Sequence, residues 1–238
     1  MLKKEIYKGF NIFSYDSKNI EIGKKILDNN YKTEIVFKDS KRSTVSEIKI
    51  DNNSYILKRI GNETIIPQRK LMTLFKKGEA LTTLININKI MDELKISEYV
   101  RPLLAINRRK HGMINFSLLV LEKVEGDSNI DKVALIELIK KIHRNKIYHG
   151  DFNPGNFLVE NEQIHILDTQ GKKMFFGNYR AHYDMITMKY DSYDEMIYPY
   201  KKNLFYYLAY SMKRFKRLAF IEKIKYFKKK LRDKGWKI

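Results

Sequence analysis

Strand-like sequence fills the first sixty residues of this 238-residue chain, and helical patterning dominates its second half. In the early part, β-branched and aromatic residues are mixed with polar ones in four short segments, a composition typical of strands. The segments are IYKGFNIFSYD, YKTEIVFK, TVSEIKID and SYILKRI. Turn formers separate them, including Lys38-Asp39-Ser40 and Asp51-Asn52-Asn53, and the second of these turns is short enough for a hairpin.

A helical region is predicted next, from about Pro67 to Lys95. Apolar residues recur there at helical spacing, namely Leu71, Leu74, Phe75, Leu81, Leu84 and Ile85. Two further strand candidates follow, around Pro102–Ile106 and Ile114–Glu122. Up to this point the sequence predicts a run of strands, one helical region and two more strands.

The character of the sequence changes after Asp127. The segment KVALIELIKKIHRNKI has apolar residues at positions 135, 136, 139 and 142, which predicts an amphipathic helix. From about Tyr198 the chain is basic, aromatic and helical in pattern. We therefore predict an α+β, two-lobed fold, with a β-rich N-terminal lobe over residues 1–123 and a helical C-terminal lobe over residues 124–238.

Composition narrows the class of protein. Hydrophobic residues make up 43% of the chain, enough for a sizeable core, and there is no cysteine, which excludes a disulfide framework and a Cys-based zinc site. The beginning, MLKKEIYKGF, is charged and lacks the apolar core of a signal peptide. The uncharged run NLFYYLAYSM is too short to span a bilayer. We expect a cytosolic or peripheral membrane protein.

The net charge is +19, and most of the excess lies at the C-terminal end. Residues 201–238 carry 14 Lys or Arg against Glu222 and Asp233, a net +12. Such a charged region attracts polyanions, which include nucleic acid, anionic lipid and phosphorylated glycolipid. The alternative is a merely solubilising surface.

The stretch HGDFNPGNFLVENEQIHILD holds the chemistry-bearing residues. Asp151, in a loop after a helix, can accept a proton from a substrate hydroxyl. Asn156 can turn back from the same loop toward a metal, and Asp168 follows the short strand IHIL. A strand pair joined by the turn Asn161-Glu162-Gln163 would bring these two together as a hard-oxygen site that suits Mg²⁺. A base and a metal clamp are what phosphoryl transfer requires.

A kinase also needs a strand lysine for the nucleotide phosphates and a helix glutamate that orients it. Lys58 lies in SYILKRI, on the third of three consecutive strands, and Glu79 lies in the helical region that follows. Each residue alone is common on protein surfaces. The four elements in this order are what favours a kinase.

The motifs HGDFNPGNFLV and ILD resemble the kinase-like fold of small-molecule and lipopolysaccharide kinases. Over nearly its whole length, through YILK, LEKVEG, ILDTQGKK and the basic aromatic tail, the chain resembles the bacterial lipopolysaccharide core heptose(II) kinase family. The resemblance implies a protein-kinase-like fold, ATP as donor, Mg²⁺ and an inner-core heptose as acceptor. It also assigns roles: Asp151 as base, Asn156 and Asp168 as metal ligands, Lys58 with Glu79 at the phosphates, and the backbone of Glu122–Val124 at the adenine.

Two features depart from this pattern. The segment KDSKRST, which we expect to be the loop over the phosphates between Phe37 and Val45, contains no glycine. Asp168 is followed by Thr-Gln-Gly, not Phe-Gly, so we expect no protein-kinase-style switching of a phenylalanine. That absence favours a small-molecule or glycolipid acceptor over a protein.

Two alternative functions remain open at this point. One is another kinase on the same scaffold, of the aminoglycoside or choline type, or an atypical protein kinase; the nature of the acceptor separates it from the first. The other is a non-enzymatic basic protein that binds membrane or nucleic acid; binding of Mg·ATP that depends on Lys58 and Asp168 would exclude it. No recognised nucleic-acid motif is present, so we expect no nucleic-acid partner.

Three further residues near the motif receive predictions. We expect His149 to orient the loop. Arg180 and Asp184, in NYRAHYD, either contact the acceptor or form an ion pair on a helix surface.

The end of the chain predicts a membrane contact. In FIEKIKYFKKKLR, the apolar residues Phe220, Ile224, Phe227 and Leu231 share one helix face and lysines occupy much of the rest. A basic amphipathic helix of this kind lies in a membrane interface; the competing expectation is that it packs on the C-terminal lobe. We expect a cytoplasmic enzyme, peripheral on the inner face of the inner membrane, with lipopolysaccharide core glycolipid and an anionic membrane as partners.

Overall fold

A computed structural model describes residues 1–218, and contacts divide the chain into two compact units. Within the described residues, the first unit comprises Met1–Glu93 and Val100–Lys123, and the second comprises Leu94–Tyr99 and residues 124–218. The short segment Leu94–Tyr99, predicted for the N-terminal lobe, goes with the second unit because Glu98 is bonded there. Its carbonyl accepts from the backbone nitrogen of residue 166 at 2.7 Å.

The first unit is built on one antiparallel sheet of seven strands. In chain order its elements are β1 (Lys3–Tyr7), β2 (Phe10–Ser14), α1 (Ser17–Leu27), β3 (Lys32–Ser40), β4 (Ser43–Ile50), β5 (Asn53–Ile60), α2 (Asn62–Ile65), α3 (Pro67–Met72), α4 (Glu79–Leu94), β6 (Pro102–Lys110) and β7 (Met113–Glu122). The strands are ordered β1-β2-β6-β7-β5-β4-β3, so β5 lies between β4 and β7.

Helices α1 and α4 cover opposite faces of this sheet. On one face, Ile20 and Ile26 of α1 join a core cluster with buried residues of five strands, and Leu57 of β5 belongs to it. On the other face, Leu84 of α4 packs in a second cluster with Ile60 and Leu119. Since side chains alternate between the two faces of a strand, this division fixes which residues of β5 face α4.

The predicted strand segments are confirmed, except that the first holds two strands, β1 and β2, and helix α1 was not predicted. Ile20 and Ile22, two residues apart, mimic the alternation of a strand. The signals that prevail are the Asp16 side chain, which accepts from the backbone nitrogen of Lys18 as an N-cap, and the buried series Ile20, Gly23 and Ile26.

The helical region predicted from about Pro67 to Lys95 holds two helices with a break between them, because α3 ends at Met72 and α4 begins at Glu79. Gly78 has a φ of +92°, which a helix does not accommodate. The guanidinium of Arg109 donates to the carbonyls of Thr73 and Lys76, both at 2.7 Å, and so holds the intervening segment in a non-helical course.

The predicted loop between Phe37 and Val45 is also wrong. Lys38, Asp39 and Ser40 continue β3, and only Lys41 and Arg42 connect it to β4. Ser40 pairs with Ser43 in the ladder, and its hydroxyl donates to the Ser43 carbonyl at 2.9 Å. The glycine-free segment is therefore a tight hairpin.

The second unit is mainly helical. Its described elements are α5 (Lys132–Arg144), β8 (Ile147–Tyr148), a 3-10 turn (Pro154–Asn156), β9 (Phe157–Glu160), β10 (Gln163–Ile166), β11 (Lys172–Lys173), α6 (Tyr179–Asp191) and α7 (Leu204–Lys216). Helix α5 is confirmed, and its residues 135, 136, 139 and 142 are buried. The predicted α+β class, with a β-rich first part and a helical second part, is confirmed.

The predicted helix through Phe220, Ile224, Phe227 and Leu231 lies outside the described residues. Among the helices within residues 1–218, none combines the length and the apolar character needed to cross a bilayer.

Candidate active site

Asp151 lies in a loop whose backbone is tied on both sides of it. Its carbonyl accepts from the side-chain amide of Asn156 at 2.8 Å and from the backbone nitrogen of Asn153 at 2.8 Å. Its own backbone nitrogen donates to Nδ1 of His149 at 3.3 Å. Since Asp151 itself is exposed, the loop presents its carboxylate to solvent from a fixed backbone.

His149 connects this loop to the chain just before Asp168. The ring is buried, and its Nε2 lies 3.1 Å from the carbonyl of Leu167. Because Nδ1 accepts from Asp151, the proton resides on Nε2, which donates to that carbonyl. Burial lowers the pKa of His149 and favours this neutral form. These contacts fit the orienting role expected from the sequence.

The carboxylate of Asp184 fixes the loop from helix α6. It accepts from the backbone nitrogens of His149 at 2.8 Å and Gly150 at 3.1 Å. It also lies 3.2 Å from Nε2 of His143, whose Nδ1 is 2.7 Å from the hydroxyl of Tyr200. Asp184 is 1% exposed, so both expectations for it, an acceptor contact and a surface ion pair, are wrong.

Arg180 is not paired with Asp184 either. Its guanidinium lies over the rings of Tyr148 and Tyr179, at 5.2 Å and 5.6 Å from their centroids. The exposed Arg180 therefore stands beside the strand that leads into the loop, and an acceptor contact stays a prediction for this residue.

Two local features make this course of the loop possible. Gly150 has a φ of +91°, a region that glycine occupies at little cost, while its nitrogen is directed at Asp184. The rings of Phe152 and Phe157 are fully buried and pack edge to face at 5.8 Å. These rings anchor the residues on both sides of the Asn153–Asn156 turn.

The hairpin of β9 and β10 brings the two predicted metal ligands to one end. Phe157 pairs with Ile166, and the Leu167 nitrogen donates to the Asn156 carbonyl at 2.8 Å. Asn156 therefore lies just before one strand and Asp168 just after the other. The predicted three-residue turn is wrong by one residue, because Gln163 already pairs in β10.

That turn has two residues, Asn161 and Glu162, with φ values of +48° and +65°. Two positive values are characteristic of the type I′ turn, whose twist matches that of paired strands. Asp168 also has a positive φ, +47°, which is uncommon outside glycine.

The donor set at this end suits magnesium. Within residues 1–218, no group of three or more His, Cys, Asp or Glu side chains is arranged to hold a metal ion. Mg²⁺ does not need such a cage, since it is commonly held by one or two protein oxygens together with water and substrate phosphates. Asn156 uses its amide nitrogen to bond Asp151, which leaves its oxygen as the atom for a cation.

In the first unit, Lys58 lies on the face of β5 that α4 covers. It is half-buried and pairs in register with Leu119, which packs against α4 in the second core cluster. Directly opposed residues of antiparallel strands share a face. Glu79 is the first residue of α4, and its nitrogen donates to Oε1 of Glu63 at 2.7 Å. Lys58 and Glu79 thus belong to the same side of the sheet.

The residues predicted to meet adenine flank a buried ion pair. Glu122 ends β7, and its backbone nitrogen donates to the Arg101 carbonyl at 3.0 Å, so this nitrogen is already used within the fold. The next residue, Lys123, lies 2.9 Å from the carboxylate of Glu47, which is 5% exposed. Val124 is the first residue of the second unit after this anchor.

The glycine absent from the β3–β4 hairpin is found beside it. The nitrogen of Gly61 donates to the carbonyl of Arg42 at 2.8 Å. A Cβ at position 61 would stand 2.5 Å from the carbonyl oxygen of Lys41 and 3.0 Å from that of Arg42. The hairpin tip therefore approaches this backbone as closely as glycine allows.

The structure brings Asp151, Asn156 and Asp168 into the second unit, and Lys58, Glu79 and Glu122 into the first. Sequence reasoning missed Tyr200 and Gly61. It named Asp184 without its buried role, although a signal existed. An acidic residue on the same helix face as Ala181, Met185 and Met188 indicates a buried carboxylate, which requires partners.

Comparisons with known proteins identify similar chains. One relative, the lipopolysaccharide core heptose(II) kinase WaaY of Escherichia coli, is 27% identical over 179 residues, which cover 70% of this chain and 76% of the relative. Among solved structures, the Cydia pomonella granulovirus kinase PK-1 aligns with a TM-score of 0.41 and 17% identity, over 68% of this chain and 58% of the viral one. The family model described as lipopolysaccharide core biosynthesis protein (WaaY) matches residues 1–227, so the chain belongs to that family.

Proposed function

We propose that this protein is an ATP-dependent kinase that phosphorylates a heptose of the lipopolysaccharide inner core. Membership of the WaaY family and the heptose(II) kinase among its relatives support this reaction. The order of elements supports it as well: a sheet strand with Lys58, then helix α4 with Glu79, and later the loop of Asp151 and the strand-end Asp168. A protein kinase uses its parts in this order.

The observation that carries the proposal is the Asp151 loop. Its carboxylate is exposed, while three hydrogen bonds hold the backbone of the same residue. A group that accepts a proton from a sugar hydroxyl must be reachable by the acceptor and must keep a fixed position. We assign Asp151 as the base that orients the acceptor hydroxyl and takes its proton.

Asn156 and Asp168 would hold the magnesium that accompanies ATP. When bound, the ion neutralises charge that develops on the transferring phosphoryl group. His149 and the β9–β10 hairpin keep the two ligands in register with Asp151, since each connects the loop to residue 167.

Residues of the first unit would bind the nucleotide. Lys58 supplies a positive charge to the phosphates, with Glu79 as its orienting partner, and the tip at Lys41 and Arg42 adds further charge. At the adenine, the backbone from Glu122 to Val124 provides the contacts. The Lys123–Glu47 ion pair keeps this short stretch extended from the sheet.

The acceptor sets the place of the reaction. ATP is a cytoplasmic donor, and a core glycolipid is held in a membrane by its lipid part. We therefore place the enzyme in the cytoplasm, on the inner face of the inner membrane.

A direct test uses purified protein, Mg·ATP and delipidated core oligosaccharide from cells that lack this kinase. We expect mass spectrometry to show the gain of one phosphate on a heptose. Oligosaccharide from cells that carry the kinase is the matched acceptor, and it should gain none. Transfer to choline or an aminoglycoside, with none to either oligosaccharide, would overturn the assignment of the substrate while preserving that of a kinase.

A further inference from the structure

Helix α7 turns its apolar side toward solvent. Its exposed apolar residues recur at intervals of three, one, four and three, so they form one stripe. The residues, which we call the α7 outer face, are Leu204, Tyr207, Leu208, Met212 and Phe215, with exposed fractions of 71%, 58%, 42%, 42% and 56%. Soluble proteins seldom leave a contiguous apolar stripe uncovered, and one rimmed by polar residues marks a contact surface.

The opposite side of α7 is fixed against the unit, so the stripe cannot rotate inward. Ala209 is fully buried, and Tyr206 packs on the ring of Tyr198 at 5.0 Å. Near the helix end, Lys213 and Arg217 both pair with the carboxylate of Asp191 on α6. The exposure of the outer face therefore follows from how the helix is anchored.

The charge that residues 201–218 themselves carry has one sign. Residues 201–218 contain six Lys or Arg and no Asp or Glu. Among the described side chains, Lys202 and Arg214 are exposed beside the stripe, and they lie over the rings of Tyr206 and Tyr210. An apolar stripe with basic flanks is complementary to a bilayer that carries anionic lipid.

Charge complementarity also favours a bilayer over two other possible partners of the outer face, a second copy of the chain and residues 219–238. A second copy would place an equally basic face against this one. Residues 219–238 carry eight Lys or Arg and two acidic residues, a net +6, so they too would meet like charge. An anionic bilayer is the partner that offers both apolar depth and opposite charge.

The outer face continues toward the Asp151 loop. Phe176 packs edge to face on Phe205 of α7 at 5.4 Å, and the neighbouring Phe175 is 93% exposed. These two phenylalanines follow β11, which pairs with β8, the strand that leads into the loop. The apolar surface thus extends to the segment between Asp168 and α6.

We propose that the α7 outer face, together with Phe175 and Phe176, docks on the surface of an anionic bilayer. Seated there, the second unit holds the loop of Asp151 near the headgroup layer, where a membrane-borne acceptor presents its sugars. This last step rests on the proposed function, whereas docking itself does not.

The absence of cysteine makes a spectroscopic test clean. Full-length Tyr207→Cys, labelled with an environment-sensitive fluorophore, is titrated with vesicles of phosphatidylcholine alone or with phosphatidylglycerol. We expect a blue shift with the anionic vesicles that weakens as salt is raised. Phe75→Cys, an exposed apolar position in the first unit, is the control and should show none.

Binding is then measured by cosedimentation with the same vesicles. Leu208→Gln with Phe215→Gln should weaken partitioning about tenfold, because interfacial binding follows the apolar area buried. The pair Leu71→Gln with Phe75→Gln should partition like wild type. Thermal melts confirm folding of each variant, and a light-scattering mass shows whether the face joins two copies.

Several outcomes would overturn the docking. One is the absence of a fluorescence shift at position 207. Another is unchanged partitioning of the outer-face variant, which is Leu208→Gln with Phe215→Gln. The third is a wild-type dimer that dissociates in this variant. Phosphorylation of soluble core oligosaccharide by the outer-face variant should match wild type. If all proteins lack that activity while the vesicle results hold, the proposed function fails and the docking stands.

Discussion

The carboxylate of Asp184 lies 2.8 Å from the backbone nitrogen of His149, 35 residues earlier in the chain. The same carboxylate accepts from Gly150, so one buried anion satisfies two consecutive amides just before Asp151. A carboxylate with several N–H donors is well stabilised as an anion, and it holds those donors in place. Asp184 is a positioning residue: it acts on the candidate base through the backbone.

Asp184→Asn is predicted to loosen the loop and to destabilise the fold. Asparagine keeps one acceptor oxygen, but its NH₂ group replaces the second oxygen and donates where the backbone nitrogens need acceptors. A buried donor left without an acceptor costs about 1–3 kcal/mol. Urea denaturation measures this loss of unfolding free energy. Turnover per folded molecule should also fall.

Asp191→Asn is the matched control on the same helix. Asp191 pairs with Lys213 and Arg217 near the surface, where such ion pairs are worth less than about 1 kcal/mol. Equal destabilisation by the two variants would contradict the buried role of Asp184.

His149 predicts a dependence of stability on pH. Burial lowers its pKa in the folded state below the ordinary value of 6.5, so below pH 6.5 the unfolded chain binds more protons than the folded one. Stability from neutral His149 is therefore fully present above pH 6.5 and is lost as the pH falls toward the lowered pKa. Unfolding free energies measured from pH 7.5 to 5.0 should show this decrease.

His149→Gln should flatten that decrease without abolishing it, since burial also lowers the pKa of His182. His111, exposed on the turn between β6 and β7, supplies the control. His111→Asn should leave the slope as in wild type. An unaltered slope in His149→Gln would refute the neutral, buried imidazole.

Lys58→Met is predicted to abolish turnover while leaving the melting temperature within a few degrees of wild type. Methionine keeps the stem that covers the sheet and removes only the charge that we assign to the phosphates. Arg59→Met, on the neighbouring exposed position, changes the same charge on the other face and should retain activity. A Lys58 variant that melts much lower yet keeps its specific activity would mark the residue as structural.

Gly61→Ala should raise the KM for ATP, because the hairpin tip that we assign to the phosphates must shift. The added methyl meets backbone oxygens of Lys41 and Arg42, so the hairpin tip must move. Gly23→Ala is the comparison: its methyl would meet side-chain atoms of Ile12 and Ile106, the nearest at 2.8 Å, so stability should fall and the KM should not change. A wild-type KM in Gly61→Ala would separate the hairpin from the nucleotide.

Patterns confined to a few residues were sufficient to predict much of the fold. The strands around Lys58 mix β-branched and aromatic residues with polar ones, as strands do, and α5 shows a full apolar stripe with Asp131 as its N-cap. Where sequence failed, a distant contact had decided the outcome. Arg109, 36 residues away, bonds the Thr73 carbonyl where the predicted helical region is interrupted.

The candidate site likewise has one part that the sequence predicted and one part that depends on distant contacts. Asp151, Asn156 and Asp168 stand close in sequence around a hairpin, so their order alone predicted a shared end. The support beneath them comes from Asp184 and Tyr200, which no local pattern connects to the loop. Helix α6 must first fold against the loop before this support exists.

The most direct test of the account is to measure nucleotide affinity and turnover together in Asp151→Asn and Asp168→Asn. Glu162→Gln, at the exposed hairpin turn, is the control and should match wild type in both. Asp151→Asn should bind Mg·ATP with wild-type affinity and lose turnover on core oligosaccharide by about 10²–10⁴-fold, the usual contribution of a general base. Asp168→Asn should instead weaken the binding of Mg·ATP itself. Near-wild-type phosphoryl transfer by both variants would contradict the assignment of this loop as the active site.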